Sequence, residues 1–180
     1  MGGAVRDLLL GKQPHDWDMT TAARPEQAEA LLSGCRVIET GVRHGTITVL
    51  AGETPVELTT FRGEGSYTDG RHPDAVTFGV GLEEDLSRRD FTIGAMAWNA
   101  ETGEVIDPFG GQADLKNRLI RAVGEPDCRF AEDGLRILRG LRFAAALGFE
   151  IEPGTAAALR GNWALRSVLF CRTRCIRPRG

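Results

Sequence analysis

"HDWDMTT", His15–Thr21, sets two aspartates one residue apart between aromatic and apolar neighbours. The alternation has the period of a β-strand, in which every second side chain points to the same face. Asp16 and Asp18 then project together, about 7 Å apart. Two unpaired carboxylates so placed repel each other, and a cation between them relieves the repulsion. Oxygen-only ligands favour Mg²⁺, which keeps several waters and takes substrate phosphates as further ligands. The plain alternative is a strand edge bearing two solvated acids. "DWDMT" also fits the D-x-D-x-T pattern of phosphohydrolases with an aspartate nucleophile. That reading needs a buried apolar strand just before the first acid, whereas "LGKQPH" is polar.

Working outward, "AVRDLLLG" reads as a short helix closed by Gly11, and "RPEQAEALLSG" as a helix from Pro25 to Gly34. "CRVIET", "GTITVLAG" and "TPVELTTF" read as strands, the last two parted by a turn. "RGEGSYTDGRHPD" (62–74) is a Gly-rich charged loop, long enough to carry function. "VGLEEDLSRRDFTIGAMAWN" is expected to be helical, "NAETGEVIDP" a hairpin, and Pro126 to Leu147 one long helix. Strands first and helices afterwards make an α+β fold, with a helical unit from about Asp114. The expected organisation is a head over 1–113, the start of a helical region over 114–162, and an atypical tail over 163–180. Trp17 and Trp98 are expected to be packing residues.

The 180 residues are 42% hydrophobic and 26% charged, the composition of a globular chain with a sizeable core. No run approaches the roughly 18 apolar residues of a membrane span, and Arg6 and Asp7 interrupt any export signal. The four cysteines are scattered without metal-site spacing, so a reduced, cytoplasmic protein without zinc is expected. His15 and His44 read as loop or turn residues. Net charge is −3, which disfavours simple coating of nucleic acid. The tail "WALRSVLFCRTRCIRPRG" holds five arginines and no acid, leaving about −8 on the first 162 residues. It has no clean periodicity and is expected to add little to the core.

Glu57, in "VELTTF", adds to the acidic pair. Flanked by Val56 and Leu58, it points away from the face those two bury. Three carboxylates on one sheet face would suit two-metal phosphoryl transfer to a hydroxyl. Gly2-Gly3 opens the first helix, whose amides could bind a triphosphate with Arg6 assisting.

Five blocks in order resemble the bacterial class II CCA-adding tRNA nucleotidyltransferases: "GGAVRDLLLGKQPHDWDMTT", "RHGTITV", "VELTTFRGEGSYTDGRHPD", "EEDLSRRDFTIGAMAWN" and "DPFGGQADLKNRLIRAVGEPDCRFAEDGLRILRGLRFAAALGF". The likeness runs from Gly2 to about Glu152. It implies a polymerase-β-like head, a mixed sheet with flanking helices, followed by a helical neck. Body and tail domains that hold tRNA lie outside it. It also implies addition of CMP and AMP, from CTP and ATP, to the tRNA 3′ end without a nucleic-acid template. Asp16 and Asp18 match the metal ligands, with Mg²⁺ as the metal, and Glu57 the third carboxylate. Gly3, Arg6, Arg88, Arg89, Asp90, Asp133, Arg136, Arg139 and Arg142 match nucleotide-binding positions. Arg62, Glu64, Tyr67, Asp69 and Arg71 fall in the loop that takes part in switching to A addition. Gly110-Gly111 matches a hinge between head and neck.

Asp133 and Arg136 have a physical argument of their own. As i,i+3 neighbours on a helix they share a face, offering an acceptor beside donors. Cytosine and adenine present an amino donor beside a ring-nitrogen acceptor and satisfy both. Uracil and guanine present the reverse and leave buried groups unpaired, which rejects them strongly. Ile137, Leu138 and Leu141 form the expected apolar side. The alternative is a solvated helix face. Two departures stand out: Gly94 replaces the family's Asn, at a cost to helix stability of about 1 kcal/mol relative to Ala, and the chain starts at the Gly-Gly motif without the strand the family sets before it. Alternatives to CCA addition are a bacterial poly(A) polymerase, an A-only-adding enzyme, or an inactive nucleotide-binding remnant.

Overall fold

The structure is a computed structural model, and it describes residues 1–14, 16–41, 45–65, 67 and 75–163. His15, His44, Asp69, Arg71 and the tail beyond Trp163 lie outside the described residues, as do Cys171 and Cys175.

The elements run α1 Gly3–Leu9, β1 Asp18–Thr21, α2 Pro25–Leu31, β2 Arg36–Gly41, β3 Thr46–Ala51 and β4 Thr54–Thr60. A short pair follows, β5 Arg62–Glu64 with β6 Val76–Phe78, then α3 Leu82–Ser87 and a 3₁₀ turn Thr92–Gly94. Next come the hairpin strands β7 Ala97–Trp98 and β8 Val105–Ile106, α4 Gly111–Asn117 and β9 Leu119–Ile120. The chain continues through α5 Pro126–Glu132, α6 Leu135–Leu147, β10 Glu150–Ile151 and α7 Pro153–Gly161.

The main sheet has the order β1-β4-β3-β2, with β1 parallel to β4 and the other pairs antiparallel. Asp18 is level with Glu57, and Glu57 with Thr48. Opposed residues share a face, so a polar row of Asp18, Glu57 and Thr48 crosses three strands, with Thr20, Thr59 and Thr46 beside it. The other face carries Ile47, Val49 and Leu58, which pack on Ala28 and Leu32 of the α2 region. α2 starts where expected: Pro25 supplies the first-turn φ, and Gln27 Oε1 accepts the Arg24 N–H at 2.9 Å.

The larger core lies beyond the sheet. Phe91, Ile93, Met96, Leu115, Ile120, Phe130 and Ile137 are buried together, joined by Ala158 and Leu159 of α7. Phe91 is at its centre, edge-on to Phe143 at 5.9 Å. Gly140 makes this possible, since a Cβ there would stand 2.8 Å from Phe91 Cζ. At α4, Asp107 accepts the Gly111 and Gln112 N–H groups at 2.7 and 2.8 Å, capping the helix. Gly111 also lets α4 press on the 3₁₀ turn, where a Cβ would come within 2.3 Å of the Thr92 carbonyl.

Several expectations are corrected. The strand expected to carry both acids begins at Asp18, so Asp16 and Trp17 precede it. The helix expected over "VGLEEDLSRRDFTIGAMAWN" stops at Ser87, and a turn and a strand follow, because Phe91 and Ile93 must both reach the core. Gly94 therefore sits in a 3₁₀ turn, outside any α-helix interior, and its helix-propensity cost does not apply. The loop over 62–74 opens as strand β5. The long helix from Pro126 breaks at Asp133, whose Oδ1 takes the Leu135 N–H at 2.8 Å and restarts the chain as α6. Leu141 is exposed, leaving Ile137 and Gly140 as the buried face of α6 beside Arg136. Trp17 and Trp98 are 41% and 44% exposed over a shallow apolar hollow that includes Val5 and Phe61. Asp114 lies inside α4 and accepts from buried Thr92 at 2.7 Å.

Candidate active site

A groove of about 450 Å³ runs between the polar face of the sheet and the start of α6. One wall is Asp18, Glu57, Thr46 and Thr59; the other is Arg88, Arg89, Asp90, Asp133, Arg136 and Arg139, with Arg62 at the side. Residues more than a hundred positions apart thus set acids on one side and guanidinium groups on the other. A second hollow adjoins it, lined by Asp16, Trp17, Asp18, Thr48 and Glu57. Asp16, Asp18 and Glu57 therefore line one surface. Among the described residues no group of three or more Asp, Glu, His or Cys side chains is arranged to hold a metal ion.

The donor chemistry fits Mg²⁺ in a narrower way. That ion takes one or two carboxylates and completes its shell with water and substrate phosphate oxygens. Asp16 and Asp18 are both exposed, and both are oxygen donors.

On the opposite wall, Arg89 donates to the Gly94 carbonyl at 3.3 Å, while its Nε is buried without a hydrogen-bond partner among the described residues. It passes where a side chain on Gly2 would stand: a Cβ there would lie 2.7 Å from Arg89 Nη1. Gly2 also holds φ +66°, which a residue with a side chain would resist. Burial pulls the Arg89 pKa down, opposed first by Asp85, while Arg88 adds to the lowering and Asp90 and Asp18 oppose it. A largely buried cation on the wall of a groove is suited to an anionic ligand.

Asp90 accepts from Arg139 through Oδ2 and from the Phe91 N–H through Oδ1 at 3.0 Å. Arg136 is buried; it donates to Glu132, to the Arg129 carbonyl and to the Arg88 carbonyl, the last two at 3.2 Å. Its guanidinium lies 5.9 Å from the Tyr67 ring centre. Asp133 and Arg136 both line the groove, Asp133 from the break between α5 and α6 and Arg136 from the first turn of α6, rather than from one helix face.

Arg6, Arg142 and Gly3 are not brought to the groove wall. Arg6 pairs with Asp7 at 2.8 Å and lies over Phe143, as do Arg139 and Arg142, at 5.0 to 5.6 Å from the ring centre. This cationic cluster meets the groove through Arg139. Gly3 begins α1, next to Arg6. Glu64 closes β5. Sequence reasoning passed over Asp85 of α3, a fully buried acid that takes the Arg88 guanidinium at 2.8 Å. Its place inside an acid-rich first turn, "LEEDLS", hid it among solvated neighbours.

A mixed sheet with an acidic row on its open face, met by arginines of a following helical region, is the architecture of a nucleotidyltransferase head. The chain belongs to the family of the poly A polymerase head domain, whose profile matches residues 1–121. It is 51% identical over 162 residues to the CCA-adding enzyme of Lactobacillus helveticus (strain DPC 4571), covering 90% of this chain and 40% of that protein. It is 52% identical over 162 residues to that of Levilactobacillus brevis, with the same coverage. Among solved structures it resembles the Bacillus stearothermophilus CCA-adding enzyme in complex with CTP, with a TM-score of 0.78 and 46% identity over 87% of this chain and 37% of that one. A tRNA nucleotidyltransferase complexed with a primer tRNA and an incoming ATP analog matches with a TM-score of 0.71 and 38% identity, over 91% of this chain and 46% of that one. The chain thus spans about 40% of the length of the curated relatives. Among the described residues no helix is long and apolar enough to cross a membrane.

Proposed function

We propose that this chain carries the catalytic head and the nucleotide-selecting region of an enzyme that adds CMP and AMP to the 3′ end of tRNA, working in the cytoplasm. Residues 1–113 form the head, 114–162 begin the helical selecting region, and 163–180 are a basic tail. The observation that carries the reading is the single groove in which Asp18 and Glu57 face Arg88, Arg89, Asp133 and Arg136. Carboxylates alone would suit any metal-dependent hydrolase. Acids opposite a cationic wall and a hydrogen-bonding pair suit transfer from a nucleoside triphosphate.

Asp16 and Asp18 would hold Mg²⁺, which supplies Lewis-acid stabilisation of the phosphoryl group in transfer. Glu57, level with Asp18, adds negative charge to the same surface. Arg89 and Arg88 receive the triphosphate, with Arg139 set by Asp90 beside them. Asp133 accepts, and Arg136 donates, at the Watson–Crick edge shared by cytosine and adenine. The tRNA hydroxyl attacks the α-phosphorus and pyrophosphate leaves. Weak, salt-dependent tRNA binding is expected of this chain by itself, since it rests on arginines.

Product lengths on tRNA lacking its 3′ end, with CTP alone, ATP alone and both, test the reading. Two added C residues and then one A are expected. Repeated A addition would support a poly(A) polymerase, and A addition only to a CC end an A-only enzyme. Exchanging both Asp133 and Arg136 for Ala should relax rejection of UTP and GTP, by about 1–3 kcal/mol for each lost paired contact. An unchanged preference in the double variant would sink the base-reading role.

A further inference from the structure

Asp85 is fully buried in α3 and stands behind the groove rather than on its wall. One oxygen, Oδ1, accepts three donors: the Arg62 backbone N–H at 3.1 Å, Arg88 Nε at 3.1 Å and Arg88 Nη2 at 2.8 Å. The first donor lies in β5. The second and third belong to the residue that caps α3. Arg88 passes the connection on, because its carbonyl accepts from Arg136 Nη2 at 3.2 Å. Gly63 tightens the same junction: a Cβ there would lie 2.6 Å from Glu84 Oε1, so β5 rests directly on α3.

A buried acid is costly, and an apolar side chain of similar volume at such a position is often neutral or better for stability. Packing alone therefore gives no reason for a carboxylate here. Direction does: a single oxygen fixes a backbone amide of β5 and a guanidinium of the groove wall relative to each other. We propose that Asp85 is a positioning residue that ties strand β5, through Arg88, to the base-reading Arg136. The inference rests on the proposed function, in which Arg136 contacts the base. Asp85 holds the Arg88 side chain and Arg136 bonds the Arg88 carbonyl, so the two connections meet in one residue.

The experiment compares CTP and UTP dissociation constants, with Mg²⁺, for the 180-residue wild type and Asp85→Asn, and follows amide exchange at Arg62. Asparagine keeps an oxygen but loses the charge that holds Arg88. The CTP-over-UTP preference is expected to fall by about tenfold, the effect of one charged hydrogen bond, with faster exchange at Arg62. A purely structural role would lower the melting temperature and weaken both nucleotides alike; an unchanged ratio in folded Asp85→Asn overturns the inference. Should Asp85→Asn fail to fold, Arg88→Met removes the same ion pair from the groove side. Arg88 would touch parts common to both nucleotides, so a changed ratio in that variant supports the connection and an unchanged one overturns it. A wild type without any CTP preference overturns the base-reading role itself, and this inference with it. A wild-type preference that survives the substitution overturns this inference alone.

Discussion

Asp18 occupies the position where the two halves of the site meet. It lines both hollows, stands level with Glu57 and contributes to the field around Arg89. Its side chain is exposed, so its removal leaves no cavity. Asp18→Ala is expected to abolish nucleotide transfer while changing stability by no more than about 0.5 kcal/mol. Transfer assays beside thermal melting check both halves of that statement, and a melting loss equal to that of a core substitution would contradict it. Arg136 is the opposite case. It is buried and bonded to Glu132 and two carbonyls, so it supports the chain as well as facing the groove. Its loss therefore lowers both stability and selectivity, and Asp133→Asn is the cleaner probe of base choice alone.

At the level of elements, the site is built from helix ends and junctions. α6 carries Arg136 and Arg139 on the side of the groove and buries Ile137 and Gly140 against Phe91. A methyl group at Gly140 has no room beside the Phe91 ring. Gly140→Ala should cost about 1–3 kcal/mol through overpacking, despite the better helix propensity of alanine, and denaturant unfolding reads it directly. α7 is held by a different device. Glu152 accepts from the Thr155 N–H at 2.7 Å and from its hydroxyl at 2.9 Å, and lies 3.6 Å from Arg121. The Thr155 backbone bond above all lowers the Glu152 pKa below its ordinary 4.5. A carboxylate with a lowered folded pKa stabilises fully above the unfolded value and loses that contribution as pH falls through the folded one. Stability of the wild type should therefore drop on acidification below about pH 4.5 more steeply than that of Glu152→Gln. The cap as a whole is worth about 1 kcal/mol, and parallel acid limbs in the two proteins would refute the assignment.

At the scale of the molecule, the described residues form two apolar clusters of unequal size. The one around Phe91 gathers eleven buried residues, from Val5 to Leu159; the one under the sheet has three, Ala28, Ile47 and Val49. Burial of apolar area sets local stability, so the sheet should open before the larger core. Native-state hydrogen exchange in low denaturant should find β2 and β3 amides in an early opening unit and α6 and α7 amides in the last. Simultaneous opening of both would make the chain a single cooperative unit. The acidic and cationic walls belong to these two clusters respectively, so ligand in the groove should slow the early opening.

Local pattern alone determined the acidic row, the β3–β4 turn, the Pro25 helix start and the hairpin near Trp98. Each depends on side-chain period or on capping between residues a few positions apart. Strand period makes the faces of Asp18 and Glu57 readable, whereas Asp16 precedes β1 and its place beside them is set by the fold. What only the tertiary structure decided are the partners from afar. Arg136 bonds the Arg88 carbonyl across 48 positions, and Arg139 bonds Asp90 across 49. Those distances close only once Phe91, Phe130 and Ile137 have packed. The break at Asp133 belongs to the same class: helical period continues through it, yet its side chain serves α6 better as a cap than as part of a longer helix. Arg6 and Arg142 leave the groove for Phe143, and Trp17 and Trp98 remain half-exposed, because ring faces and sheet edges become available only after the layers have met.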